Sequence, residues 1–245
     1  NLEEIAAGVF QGCPIREISI PDHVKIIGNN AFFSCENLKE ITLPETITKI
    51  DDMAFYATGL KTVNIPDSVT YVGDGAFLNC SDLKSVKLPD KLKYISGGTF
   101  RECRNLTHVT MPTSLKGINA NAFEACESLT EITLPEGLTE IGESAFAGSG
   151  IMDFVLPESL KNIGKWAFSG CKFNSIKIPE TVTEIGEEAF ASCKILGIIN
   201  IPKNMTEIED GVFRWCENLK KITLPESIIR IGEHAFSGSG IEEIT

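Results

Sequence analysis

All prolines but Pro14 stand in one series, at positions 21, 44, 66, 89, 112, 135, 157, 179, 202 and 225, at intervals of 22 or 23 residues. Phenylalanine keeps the same phase, at 10, 32, 55, 77, 100, 123, 146, 168, 190, 213 and 236, with only Phe33, Phe154 and Phe173 outside the series. A period this short and strict constrains the fold more than any other feature. A unit of this size cannot bury an apolar face alone, whereas stacked units can, so the chain must fold as a solenoid. Counting Phe gives eleven coils. With roughly 4.8 Å between neighbouring strands, ten steps make a parallel sheet about 50 Å long.

One unit reads L-x-x-I-x-L-P-x-x-L-x-x-I-G-x-x-A-F-x-x-C, as in LTEITLPEGLTEIGESAFAGS at 129–149. In L-x-x-I-x-L the last two apolar residues alternate with polar ones, the period of a half-buried strand. Pro ends that strand because it brings no N–H to a ladder. Asp or Glu follows in eight of ten copies, then usually a small polar residue, a combination suited to a tight turn. The apolar pair typified by Leu138 and Ile141 lines the return path. Gly142 and its equivalents Gly28, Gly73, Gly164, Gly186 and Gly232 are expected to adopt a turn conformation that other residues resist. Ala-Phe is expected in a short helical turn, with Phe as the core wedge. The expected architecture is an α/β repeat solenoid whose parallel sheet is concave and whose convex side carries short or helical turns. Residues 1–245 form a single such solenoid, and because both ends fall in mid-repeat, it is expected to be part of a longer chain.

All eight cysteines fall three residues after the repeat Phe: Cys13, Cys35, Cys80, Cys103, Cys126, Cys171, Cys193 and Cys216. Thr58, Ser149 and Ser239 fill the place in the other coils, each followed by Gly. The repeat supplies the reason: a small, weakly donating side chain stacked in a structural column inside the coil as a free thiol. Disulfides between adjacent coils are the alternative, disfavoured because stacked Cβ vectors run parallel. Metal ligation is the remaining one, disfavoured because there is no C-x-x-C and no histidine accompanies a cysteine.

Net charge is −12, and no basic tract with interleaved aromatics occurs, which disfavours nucleic acid and anionic membranes as partners. No apolar run approaches membrane-spanning length, so no membrane insertion is expected. His23, His108 and His234 lie in different columns and coils and cannot form one site. The acidic residues after Pro (Asp22, Glu45, Asp67, Asp90, Glu136, Glu158, Glu180 and Glu226) form a stripe. Ca²⁺ needs several converging oxygens, and these come from separate coils, so a solvated turn position is the plainer reading. There is no phosphate loop and no nucleophile motif. No catalytic residue, metal or cofactor is expected.

Two outward columns flank the inward residue of each strand. One runs Glu17, Glu40, Thr62, Ser85, His108, Glu131, Asp153, Ser175, Ile198, Lys221, Glu243. The other runs Ser19, Thr42, Asn64, Lys87, Thr110, Thr133, Val155, Lys177, Asn200, Thr223, Thr245. Thr, Asn and Ser dominate the second, as sheet propensity and solubility require. Val155 and Ile198, with Met152 nearby, place apolar groups where polar ones rule. This patch, flanked by Asp153, Lys177 and Asn200, with His108 a further break in uniformity, is the candidate partner-binding site. The alternative is scatter, since single exposed apolar residues are normal. Tyr71 and Tyr94, in one outer column, and Trp166 and Trp215 are further candidate contact aromatics, or edge packing.

The strand segment L-x-x-I-x-L is similar to a leucine-rich repeat, but Pro follows the strand directly and Cys arrives after Ala-Phe. With I-G-x-x-A-F-x-x-C, the whole chain closely resembles the BspA-type leucine-rich repeat proteins. The resemblance implies a right-handed coil, a bacterial cell-surface or secreted location, and a non-enzymatic adhesion or protein-binding role. The partner class would be a host or bacterial protein or a glycan, and signal and anchor are expected outside this segment. A structural spacer, or an accessory repeat domain of a larger surface enzyme, are the alternatives.

Overall fold

The computed structural model describes residues 2–152 and 154–245. Successive 22- or 23-residue units stack as coils, and their buried residues form one continuous core. The L-x-x-I-x-L segments pair in parallel, in the register the repeat dictates. Thr62–Asn64, Ser85–Lys87 and His108–Thr110 form one ladder, with Val63, Val86 and Val109 facing inward. Ser175–Ile176 pairs with Ile198–Ile199, and Lys221–Ile222 with Glu243–Ile244.

The return path is itself a second parallel ladder, built from two-residue strands. Glu4–Ile5, Ile26–Ile27, Lys49–Ile50 and Tyr71–Val72 form one run. Tyr94–Ile95 through Glu184–Ile185 form another. The turn between the two ladders is closed ten times by the same bond, from the N–H three residues after each repeat proline to that proline's carbonyl, as from Leu138 to Pro135 at 3.1 Å. The small polar residue two places after Pro has a definite task. The hydroxyls of Thr46, Ser68, Ser114, Ser159 and Ser227 donate to a carbonyl of the preceding coil.

The expected helical turn around Phe is absent among the described residues; turns take its place. Every coil has two residues with positive φ, two before and two after the repeat Phe. Ser144 (52°) and Gly148 (65°) flank Phe146; Asn121 (60°) and Ala125 (56°) flank Phe123. Left-handed residues at this spacing prevent a helical run. They also make successive N–H groups point in alternate directions. Those of Ala145, Ala147 and Ser149 bond back to Gly142, Ser144 and Phe146 within the turn, at 3.3, 3.1 and 3.0 Å. Those of Ser144, Phe146 and Gly148 reach Lys165, Ala167 and Ser169 of the next coil, at 2.8, 2.8 and 2.7 Å. The turns thus constitute a third inter-coil ladder, and the buried N–H groups here are satisfied without helix or sheet.

The Gly142 column is a correction to the sequence reading: none of its six members has positive φ. They are glycine for lack of room. A Cβ on Gly142 would lie 2.9 Å from the Ala120 nitrogen, and one on Gly164 2.6 Å from the Gly142 carbonyl carbon. The residues that need left-handed freedom stand elsewhere, and Trp166 (55°) and Trp215 (60°) are two of them.

Between the ladders the Phe rings stack coil on coil, with centroids 5.2 to 6.1 Å apart and planes within 20° of parallel from Phe10 to Phe236. Beside them run the cysteines, all free; seven are buried and Cys13, in the first coil, is partly exposed. Each buried thiol donates to the carbonyl of the Phe one coil back, as Cys80 to Phe55 at 3.0 Å and Cys126 to Phe100 at 3.1 Å. Thr58 and Ser149 join the column through the thiols of Cys80 (3.2 Å) and Cys171 (3.4 Å). Burial pushes the thiols up, Cys80 to about 11 and Cys171 and Cys216 to about 12.

Coil length is adjusted after the cysteine column. In full coils Cys193-Lys194-Ile195-Leu196 makes an extra turn, closed from the Leu196 N–H to the Cys193 carbonyl at 3.0 Å. Short coils (Cys13-Pro14-Ile15, Thr58-Gly59-Leu60, Ser149-Gly150-Ile151, Cys171-Lys172-Phe173, Ser239-Gly240-Ile241) omit one residue there. A Cβ on Gly59 or Gly150 would collide with the carbonyl oxygen of Glu36 or Glu127, in the turn of the full coil before it. Lys172 is tolerated because the coil before it is also short and presents no such turn.

Two outcomes are expected. Gly150→Ala should destabilise the chain by about 1–3 kcal/mol, the usual range for forcing extra volume into packed structure, while Lys172→Ala should be nearly neutral; urea midpoints compare them. A thiol whose folded pKa is raised contributes stability that is complete below its unfolded pKa and lost as pH rises through the folded one. Urea midpoints should therefore fall above about pH 9, the ordinary thiol value, and seven thiols should react with Ellman's reagent at neutral pH only after denaturation.

Candidate partner-binding face

The alternation of the first ladder turns the two predicted columns outward. Register aligns Thr62, Ser85 and His108 in one column and Asn64, Lys87 and Thr110 in the other, all at the surface. Ser19 and Thr42 bridge in the second column. Ser175 stands beside Ile198 in the first. In the first half of the chain both columns are polar. The apolar departures come later: Val155 is 80% exposed and Ile198 72%.

The predicted site residues are only partly brought together. Val155, Lys177 and Asn200 occupy three successive coils of one column, and Ile198 stands in the other column beside Ser175. Val155 and Ile198 are therefore two coils apart, roughly 10 Å along the stack, with Ser175 and Lys177 between them. The Lys177 ammonium lies 3.4 Å from the Glu158 carboxylate, and both are exposed. His108 is four coils from Ile198, about 19 Å along the stack, and its ring nitrogen is 3.5 Å from the Thr110 hydroxyl. Met152 lies off the strand face, beside Gly170, Cys171, Lys172 and Ile195. Asp153 lies outside the described residues.

Asn200 has an architectural task. Its side-chain oxygen accepts from the Ile178 N–H at 2.8 Å and its amide donates to the Ile178 carbonyl at 2.9 Å. The side chain thus pairs with the backbone of the neighbouring coil just past the two-residue strands, where a ladder bond would otherwise stand.

Sequence reasoning did not find the break in the strand face. Among the described residues, no strand of two or more residues occurs in the first ladder between Thr110 and Ser175. Phe154 occupies the inward column, elsewhere Ile or Val in every coil. Its ring stands edge-on to Phe146 and Phe168, at 5.7 and 5.4 Å, and is only partly buried. A ring is bulkier than the column's Ile and Val. Beside it lies a pocket of about 340 Å³, lined by Glu131, Ile132, Leu134, Phe154, Val155 and Pro157 among others. The signal was present in the sequence as the one aromatic among those Ile and Val residues.

The other candidates are placed plainly. Tyr71 and Tyr94 share a column of the second ladder, but that ladder is interrupted between them. The Tyr71 hydroxyl donates to Asp52 at 3.2 Å, with the Lys49 ammonium 5.4 Å from its ring centre. Trp166 lies under the Lys165 ammonium at 4.3 Å, and Trp215 packs over Gly238. Of the acidic stripe, Asp67 accepts from the Asp90 N–H at 3.2 Å and from Lys87 at 3.4 Å, and these bonds hold its carboxyl below the usual carboxylate range. Glu180 accepts from the Lys203 N–H at 2.8 Å. Among the described residues, no three His, Cys, Asp or Glu side chains converge on a metal-sized point, and no helix is long and apolar enough to cross a membrane.

Comparison with known proteins bears on the whole chain. The BspA type leucine rich repeat region matches residues 3–129, 93–168 and 139–245, in six copies. A leucine-rich repeat protein from Bacteroides ovatus superposes with a TM-score of 0.72 at 30% identity, covering 97% of this chain and 80% of that one. A leucine rich cell surface protein from Faecalibacterium prausnitzii gives 0.65 at 30% identity, covering 99% and 76%. The pneumococcal vaccine antigen PcpA gives 0.67 at 22% identity, covering 94% and 71%, a likeness of fold. No curated protein matches the chain.

Asn200→Ala should remove both bonds to Ile178 and leave its N–H and carbonyl without that partner. The expected cost is about 1–3 kcal/mol, with faster amide exchange at Ile178. Unchanged exchange there would contradict the role given to Asn200.

Proposed function

The chain belongs to the BspA-type leucine-rich repeat family, and from that premise we propose that it is a non-enzymatic binding module of a bacterial surface or secreted protein. Its contact region is the strand face around Val155, Lys177 and Ile198, and its partner is a protein or glycan outside the cell. The observation that carries this reading is Val155. It is an apolar residue, 80% exposed, in an otherwise polar column, and it borders the pocket opened beside Phe154. An apolar anchor beside a concavity, with a polar surround, is how interfaces concentrate their binding energy. Nothing in the stacking of coils calls for an apolar group at Val155 or Ile198, because both point away from the core. The relative from Faecalibacterium prausnitzii, 30% identical, is a cell surface protein, which supports the location. A non-enzymatic role is supported by the scattered histidines and by thiols held protonated in the core.

The test is a binding screen of the chain against extracellular-matrix proteins and glycans, beside the Val155→Asp/Ile198→Asp double variant. Both positions are exposed, so the variant should keep the wild-type melting temperature. A saturable interaction lost in the double variant is the expected result. Binding that survives both substitutions would sink the site, and silence across both panels would favour a structural spacer.

A further inference from the structure

A second surface departs from the repeat, and it lies on the lateral edge of the stack rather than on the strand face. Two short coils in succession, at Ser149–Ile151 and Cys171–Phe173, each omit the extra turn that full coils make after the cysteine column. Together they leave a notch two coils wide, of about 670 Å³. Its sides are Met152 of the first short coil and Ile195 of the full coil that follows; its floor is Gly170 and Cys171.

Both side residues break their columns. Met152 stands where other coils carry Lys39, Lys61, Lys84, Thr107, Thr130 and Lys220. Ile195 stands where they carry Asn37, Asp82, Asn105, Ser128 and Asn218. Each is about half exposed (49% and 47%), so neither is a core residue.

The single short coil at Thr58–Leu60 is an internal control. It leaves a similar but narrower indentation, and there the equivalent of Ile195 is Asp82. Lys39 reaches over the short coil to pair with Asp82 at 3.0 Å, so the gap is polar and closed by an ion pair. The wider notch is apolar and is spanned by no ion pair among the described residues. Stacking geometry therefore does not require apolar walls at a short coil.

Charge narrows the occupant. In a chain of net charge −12, this notch is flanked by two lysines, Lys172 and Lys194, with the amide of Asn174 and the hydroxyl of Ser192 beside them. Lys194 lies 3.2 Å from Glu217, but both are largely exposed, and such pairs contribute little and exchange easily. Lys172 has no ion pair among the described residues. A cleft of this volume lies within the usual size range of ligand pockets, which are lined mostly by apolar groups with a few polar ones that fix orientation. We propose that the notch is a docking site for a peptide segment of a protein partner, with an apolar side chain seated between Met152 and Ile195 and a neighbouring carboxylate held by Lys172 and Lys194. This site is separate from the strand face and does not rest on the reading given to Val155 and Ile198.

The test is an NMR titration of the ¹⁵N-labelled chain with the probe acetyl-Asp-Leu-Leu-Glu-amide, beside acetyl-Asp-Ser-Ser-Glu-amide and acetyl-Lys-Leu-Leu-Lys-amide. Saturable shifts confined to residues 170–174 and 192–195, with the first peptide alone, are expected. Lys172→Glu/Lys194→Glu should weaken that binding roughly fivefold or more, as loss of two exposed charge contacts implies. Met152→Glu/Ile195→Glu should remove it. All four positions are at the surface, so both variants should melt as the parent does. Absence of localised shifts, equal response to the serine or lysine peptide, or indifference to charge reversal would each overturn the proposal, as would a response at these residues to a neutral glycan but not to the peptide.

Discussion

Everything in this structure depends on each coil being completed by its neighbour. The N–H groups of Ser144, Phe146 and Gly148 have no acceptor in their own turn; they find one in the next coil. The thiol of Cys126 donates to Phe100 one coil back, and the hydroxyl of Ser159 to Leu138. The rings of the Phe column stack on those of the neighbouring coils, and Phe154 and Phe173, which replace an Ile and a Leu of the repeat, stand edge-on to them. Neighbouring backbones can meet this way only if every coil rises by the strand spacing, roughly 4.8 Å, in one register. Inward positions therefore tolerate little change, while the outward columns are free to vary.

That constraint also explains where irregularity is allowed. A coil can lose a residue after its cysteine-column position, because that segment is an edge turn rather than part of a ladder. The loss has a local condition: Gly150 must be glycine under the turn of Glu127, whereas Lys172 follows a coil with no such turn. A larger inward residue, Phe154, is accommodated only with a gap in the strand face beside it. Both proposed contact regions grow out of these departures, the pocket beside Val155 from one and the Met152–Ile195 notch from the other.

Much of this was legible in the sequence. The period fixed the stack, the alternation fixed which residues face outward, and the spacing placed all eight cysteines in a column. Other features left no readable trace. A two-residue strand such as Glu140–Ile141 is too short to show alternation, so the second ladder looked like a return path. A glycine does not declare whether it serves φ or space, so the turn conformation expected of Gly142 is the wrong reason for it, and the left-handed backbone of Trp166 and Trp215 is invisible in a reading of them as contact aromatics or edge packing. The apolar set was read as one patch because sequence gives columns but not which coil edge a residue lines. Met152 belongs to the notch, Asn200 is bound to Ile178, and His108 stands four coils away.

The most direct test is to remove one whole coil, residues 112–134, so that Met111 is followed by Pro135, and to follow urea unfolding by circular dichroism. If each coil is a self-consistent step in the stack, the shortened chain should keep the parent's spectrum and a cooperative transition, with a lower midpoint and a smaller dependence on denaturant. An unfolded or aggregated product, with coils 22 or 23 residues long on either side of the join, would contradict the account, because stability would then reside in something other than contacts between neighbouring coils.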